Sequence, residues 1–412
     1  MKSILEIFLG ILTAMGGFVE IGELVFTVNA GVKFGFRLLW VCALGTLGIM
    51  VYGEMSGRIA AVTRKPVFEL IGERVSYRAG LFTLIAANLV NLLTCTAEIG
   101  GVAMILKLLF GGNYFLLILV SAAVIFCTMW FLQLDWIERV YGLLGLMMIV
   151  FIASAVYYKP DWYHVANGFV PGIPQVESTS DYYLYAYFVV ALLSSIMLPY
   201  ETYFYASGAV EDKWKPDEIP MNRVIVILGF GLGSLLGISL LILGATVFQP
   251  LNIEPQLPGT AALAASGAYG RVGLLLALGG MFFAIGGAAI ETALSGAYNF
   301  AQFFGWPWGK QKPPRSVPRF TGSWVIILVI STLIILTGID PVEVVEYSII
   351  FAVVILPVTY YALMIAGGDK KEMGRYANGP VAKALGWFFF VLIVMAAIAA
   401  LPLLIVTHGG RG

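Results

Sequence analysis

The chain has 412 residues, no formal net charge, 60% hydrophobic residues and only 12% charged ones, and its mean hydropathy is +0.91. Charged residues are about half as common as in a soluble domain, which excludes a soluble globular protein, and the balanced charge gives no reason to expect a nucleic-acid partner. The three cysteines, Cys42, Cys95 and Cys127, all lie in apolar stretches and read as small hydrophobes rather than a disulfide frame.

Apolar runs near the length that crosses hydrocarbon recur along the chain. In order they cover 4–30, 38–57, 79–110, 114–134, 138–158, 183–208, 223–248, 271–305, 320–338, 341–367 and 385–407. An all-α integral membrane protein with about 11 transmembrane helices is therefore expected. The first run carries Glu6, Glu20 and Glu23 and no small-residue cleavage site, so no cleaved leader is expected. The longest connection, 159–182, is rich in Pro, Gly and Trp and reads as a surface segment. Basic residues divide unequally between the two sets of connections. The set sharing a side with the N-terminus holds 18 of the 24 Lys and Arg. The positive-inside rule then places the N-terminus in the cytoplasm, and eleven crossings of the plasma (inner) membrane put the C-terminus outside.

The acids are the unexpected feature. Glu20, Glu23, Glu98, Glu201 and Glu291 fall inside apolar runs, and Glu343 falls near the start of the tenth. A charge at the bilayer centre costs roughly 3 kcal/mol, and no Lys or Arg lies at comparable depth to offset it. Such a set must bind a cation, bind protons or face water, and all three belong to a transport pathway. The alternative for any one of them is a protonated helix-packing glutamate.

Two runs also carry helix breakers. Gly16, Gly17 and Gly22 flank Glu20 and Glu23 in the first, and Pro199 precedes Glu201 in the sixth. Irregular backbone at membrane depth is tolerated where it is buried or lines a cavity. Breaks five runs apart suit an inverted-repeat transporter with a midplane site.

The segment FVEIGELVFTVNAGVKFGFRLLW (18–40) resembles the first helix and following loop of the Nramp divalent-metal transporters, ALLSSIMLPYETYFYASG (191–208) is similar to their sixth helix, and TCTAEIGG (94–101) to part of their third. The resemblance implies a LeuT-type bundle of two inverted five-helix repeats with the first and sixth helices broken. One transporter domain would span 1–412, with repeats at about 4–158 and 183–367 and an extra helix at about 385–407. It places Glu20, Glu23, Leu198, Tyr200 and Glu201 at the substrate site, with Glu98 and Cys95 on a proton pathway, breaks at Gly22 and Pro199, and Glu291 and Glu343 as further cavity acids. The departures bear on selectivity. The family's methionine is Leu198 here, its histidine is Tyr200, and its asparagines are Glu23 and Glu201. A Glu20, Glu23 and Glu201 metal site is all hard oxygen, which suits Mg²⁺ or Mn²⁺ better than soft ions. Met197 lies about 100° around the helix from Leu198 and is expected to face elsewhere.

These residues imply a secondary transporter of a divalent cation, a proton symporter if Glu98 titrates, with no cofactor and with the bilayer, the ion and protons as partners. The alternative keeps the fold and carries a small organic solute, a cationic one among them, by proton coupling. A third reading is a membrane sensor that binds without moving its ligand. No nucleophile, histidine or ligand motif is arranged as in an enzyme. Oligomeric state is not legible.

Overall fold

The computed structural model describes residues 10–11, 20–172, 179–255 and 257–410. Within them the chain is helical, with no strand. The helices are α1 (Ile21–Phe34), α2 (Leu39–Thr63), the short α3 (Val67–Arg74), α4 (Tyr77–Phe110), α5 (Tyr114–Phe131), α6 (Leu134–Gly145) and α7 (Ile149–Tyr157). They continue with α8 (Trp162–Asn167), α9 (Thr179–Ile196), α10 (Pro199–Glu211), α11 (Ile219–Leu243), α12 (Ala261–Phe303), α13 (Pro318–Ile335), α14 (Pro341–Gly368), α15 (Lys370–Met373) and α16 (Pro380–Val406).

Ten helical stretches among the described residues are long and apolar enough to cross a bilayer, and they match runs two to eleven of the sequence. Run one is represented by α1. Most of the preceding stretch, including Gly16 and Gly17, lies outside the described residues. α6 and α7 are one span, joined by a 3₁₀ turn at Leu146–Met148.

Local chemistry sets the ends. Pro occupies a first-turn position of α10, α13, α14 and α16, where its missing N–H costs nothing. The Asp340 side chain accepts from Val342 N–H at 2.9 Å to cap α14, and Asn113 caps α5 in the same way. Within α12, Gly270 has φ 61° and ψ −142°, a conformation that favours glycine. It separates Ala261–Tyr269 from the long arm that follows. The eighth run is predicted from 271, so the short apolar arm before this kink is a feature the hydrophobic pattern misses.

The centre of the bundle is built from α1, α2, α4, α9, α10, α11, α12 and α14. α4 packs most extensively against α12 and α14, and α11 against α1 and α2. α5 and α16 are peripheral: 22% of each membrane window is buried, against 72% for α4. Small residues let the central helices approach closely. A Cβ added at Gly31 would lie 2.1 Å from the Leu241 carbonyl oxygen, and one at Gly244 would lie 2.3 Å from the Val28 carbonyl oxygen. Where these backbones meet, α11 gives way to a π-turn over Gly244–Phe248. Cys42 and Cys95 are buried and Cys127 is exposed, all three as free thiols.

Candidate functional site

The two broken runs meet in this central group. α9 ends at Ile196 and α10 begins at Pro199. Leu198 between them has φ −61° and ψ 134°. Proline removes one intrahelical bond and bars the residue before it from helical geometry, so the break follows directly from Pro199. The Tyr360 hydroxyl donates to the Met197 carbonyl at 3.3 Å across the break. In the first run, Glu20 is extended, at φ −108° and ψ 175°. Its carbonyl accepts from Leu24 N–H at 3.1 Å and so opens α1.

Four of the predicted acids are buried here. Glu20, Glu23 and Glu98 have no exposed surface and Glu201 is 5% exposed. Glu98 Oε1 accepts from the Ile21 backbone N–H at 3.1 Å. That contact satisfies one of the orphan donors at a helix start and puts a carboxylate on the positive end of the α1 dipole. Glu98, expected as a proton carrier, thus also fastens the broken helix to α4. Glu20 Oε2 accepts from the Tyr200 hydroxyl at 3.5 Å. Glu23 points toward α11, where a Cβ on Gly237 would stand 2.1 Å from Glu23 Oε1. The Thr27 hydroxyl donates to the Glu23 carbonyl. Five carboxylate oxygens at the two breaks are buried with no hydrogen-bond partner: Glu20 Oε1, both of Glu23 and both of Glu201. Glu201 is in electrostatic range of Glu291, Glu20 and Glu23.

The structure gathers the predicted acids without converging them. Among the described residues, no three His, Cys, Asp or Glu side chains stand close enough together to form a ready metal-ligand group. Glu20 and Glu23 turn their carboxylates to different neighbours, Tyr200 for one and Gly237 for the other. Glu23 lies in the first turn of α1, against α11, while Glu20 lies beside Tyr200 of α10.

The other predicted residues separate. Leu198 and Tyr200 are buried at the sixth-run break. Met197 turns away, as expected: its terminal methyl and sulfur face Gly48 of α2. The Cys95 thiol points at the Ala289 carbonyl of α12, 3.7 Å away. Glu291 borders a small cavity of about 20 Å³ together with Glu138, Tyr141 and Phe204, room for about one water. It belongs to a flank between α6, α10 and α12. Glu343 is in the first turn of α14. The side chains of α14 that reach the start of α1 are instead Val345 and Ile349, both at Gly22, which is not the break expected of it but lies inside α1, the extended residue being Glu20.

Sequence reading missed Gly237 and Tyr360. Gly237 stands in GFGLGSLLGISLLILG (229–244), where one glycine cannot be singled out by pattern. Tyr360 sits beside Thr359 and Tyr361 in a largely apolar run and is selected only by the fold that brings α14 to the sixth-run break.

The model of the Nramp family, described as natural resistance-associated macrophage protein-like, matches residues 10–402. The chain belongs to the Nramp family. Its curated relatives include a divalent metal cation transporter MntH of Deinococcus radiodurans, 25% identical over 398 residues, covering 92% of this chain and 85% of that one. Another, from Levilactobacillus brevis, bears the same name and is 26% identical over 405 residues, with the same coverage. Among solved structures, a mutant of the Eremococcus coleocola manganese transporter superposes with a TM-score of 0.74 at 18% identity, covering 98% of this chain and 94% of that one. A Na⁺-coupled sialic acid symporter superposes more loosely, with a TM-score of 0.52 at 14% identity, over 96% of this chain and 95% of the other. These likenesses give the LeuT-type fold expected of the Nramp family. Membership makes the chain an integral membrane transporter and not an enzyme.

Proposed function

We propose that the protein moves a divalent cation of Mg²⁺ or Mn²⁺ character through the region between the two breaks, with Glu20, Glu23 and Glu201 as ligands. One observation carries the reading: five buried carboxylate oxygens without partners, at the ends of α1 and α10. Burying an ionised carboxylate unpaired is costly, and a divalent ion offsets that cost for several at once. The donors are all hard oxygen, and the thioether and imidazole of the family pattern are replaced by Leu198 and Tyr200. Closing a coordination shell around all three requires their side chains to move together from the positions they hold. The names of the curated relatives, divalent metal cation transporters, point the same way.

The test is uptake into proteoliposomes of the purified chain, with Mn²⁺, Mg²⁺, Ca²⁺ and Cd²⁺ inside a chelator-buffered series. Saturable uptake of Mn²⁺ or Mg²⁺ in preference to Cd²⁺ is the expected result. Flux of an organic cation with no divalent flux would overturn it.

In this reading the chain is one transporter domain. Its repeats run at about 4–158 and 183–367, and α16 lies outside both. The N-terminus is cytoplasmic, because the basic connections share its side. A cysteine placed at the exposed Asn167 in α8 should then react with an impermeant maleimide in intact cells. Reaction only after permeabilisation would reverse the orientation.

Glu98 is the proton carrier in this reading. Glu98→Gln keeps a side-chain carbonyl that can accept from Ile21 N–H, so the α1 anchor survives the change. The expected outcome is metal binding within about threefold of wild type, roughly 0.6 kcal/mol, with the pH dependence of uptake abolished. Loss of binding with pH dependence intact would make Glu98 structural.

A further inference from the structure

Away from the transport site, a groove of about 570 Å³ opens between α2, α11 and the start of α16. Its floor is apolar, from Leu47, Met50, Val226, Ile227, Val381 and Leu385. Several of these are exposed, Val381 to 71% and Ile227 to 57%, on the bundle's outer surface. Its rim is basic. Arg58, Arg223 and Arg375 line it with one acid, Glu54.

The three arginines have different duties. Arg58 is 4% exposed. Its Nε donates to both Glu54 oxygens at 3.0 and 3.1 Å, its Nη1 to the Tyr376 carbonyl at 2.5 Å, and its Nη2 to Asn378 Oδ1 at 2.8 Å. It is spent on holding α2 to the segment before α16. Arg223 gives only its Nε to the same Glu54, at 3.2 Å, and its side chain is 60% exposed. Arg375 is exposed, over the Tyr376 ring at 4.8 Å, with Nη2 donating to the Tyr376 hydroxyl at 2.6 Å. One carboxylate against three guanidiniums leaves an excess of positive charge at the mouth. The free donors belong to Arg223 and Arg375.

We propose that this groove binds an anionic phospholipid. The phosphate sits between Arg223 and Arg375, whose planar forks suit phosphate oxygens. The upper carbons of the tails lie along the apolar floor, which is continuous with the lipid-facing surface. Charge selects the headgroup: a zwitterionic lipid offers the same phosphate with a cation beside it, which the arginine excess disfavours. The site lies at the membrane end that carries most of the basic residues, where arginines attract anionic headgroups. It is independent of what the transporter carries.

The test uses the full chain, purified and delipidated, with dioleoyl phosphatidylglycerol or phosphatidylcholine added and retention read by native mass spectrometry. Wild type should retain phosphatidylglycerol about tenfold more strongly, in keeping with the gain per basic side chain near an anionic headgroup. Arg223→Gln combined with Arg375→Gln should abolish that preference without changing the melting temperature of the lipid-free protein. Lys213→Gln with Lys312→Gln, exposed cations outside the groove, should leave it intact. Equal retention of the two lipids by wild type overturns the proposal, as does equal loss in both double variants, which would indicate diffuse attraction. Displacement of the lipid by glycerol 3-phosphate at matching concentration also overturns it, in favour of a soluble phosphate site.

Discussion

Glu20→Gln, Glu23→Gln and Glu201→Gln are each expected to weaken Mn²⁺ binding by about tenfold or more, because affinity at oxygen sites follows the charge and number of ligands. All three positions are buried, and the substitution keeps shape while removing charge. Folding should therefore hold, since the change relieves an unpaired buried carboxylate rather than creating one. Calorimetry on purified wild type and variants reads the affinities, and a melting curve without metal reads the fold. Leu198→Met adds a thioether at the sixth-run break and should raise the affinity for Cd²⁺ relative to Mn²⁺. If all three glutamine variants bind Mn²⁺ as wild type does, these glutamates are not the ligands. If wild type binds no divalent ion, the metal reading fails altogether.

The largest expected loss of stability is at the crossing of α1 and α11. Gly31→Leu and Gly244→Leu each place a side chain where the obstacle is backbone: the Leu241 carbonyl for one, the Val28 carbonyl for the other. A flexible side chain can yield to an added carbon, but a helix backbone yields only if the helix moves. Overpacking of this kind costs on the order of 3 kcal/mol, and here it would also shift α1, which carries Glu20 and Glu23. Each variant should give a sharply lower melting temperature or fail to purify as a single species. Gly322→Leu in α13 is the control, since a Cβ there meets nothing within 4 Å. Wild-type melting of Gly31→Leu would show that the helices separate more easily than this contact implies.

Hydropathy alone determined the membrane class, and it placed ten of the runs close to the helices that form, because the bilayer demands long apolar helices whatever they pack against. Pro199 determined the sixth-run break for an equally local reason, the loss of an N–H and a steric clash. The acids Glu20, Glu23, Glu98 and Glu201 stood out because carboxylates are costly where no cation is near in the chain. Their directions were not legible. The family resemblance put Glu20 and Glu23 at one substrate site, and in the fold Gly237 makes room for Glu23 against α11 while Tyr200 of α10 meets Glu20. Glu98 reads as a titrating group in the sequence, yet its hydrogen bond to Ile21 N–H exists only because α4 passes the start of α1. The kink at Gly270 hides in a run of small apolar residues whose pattern continues through it. A side chain's type states its cost of burial locally. Which donor, glycine or carbonyl meets it depends on partners tens to hundreds of residues away, and only the packing of the helices decides that.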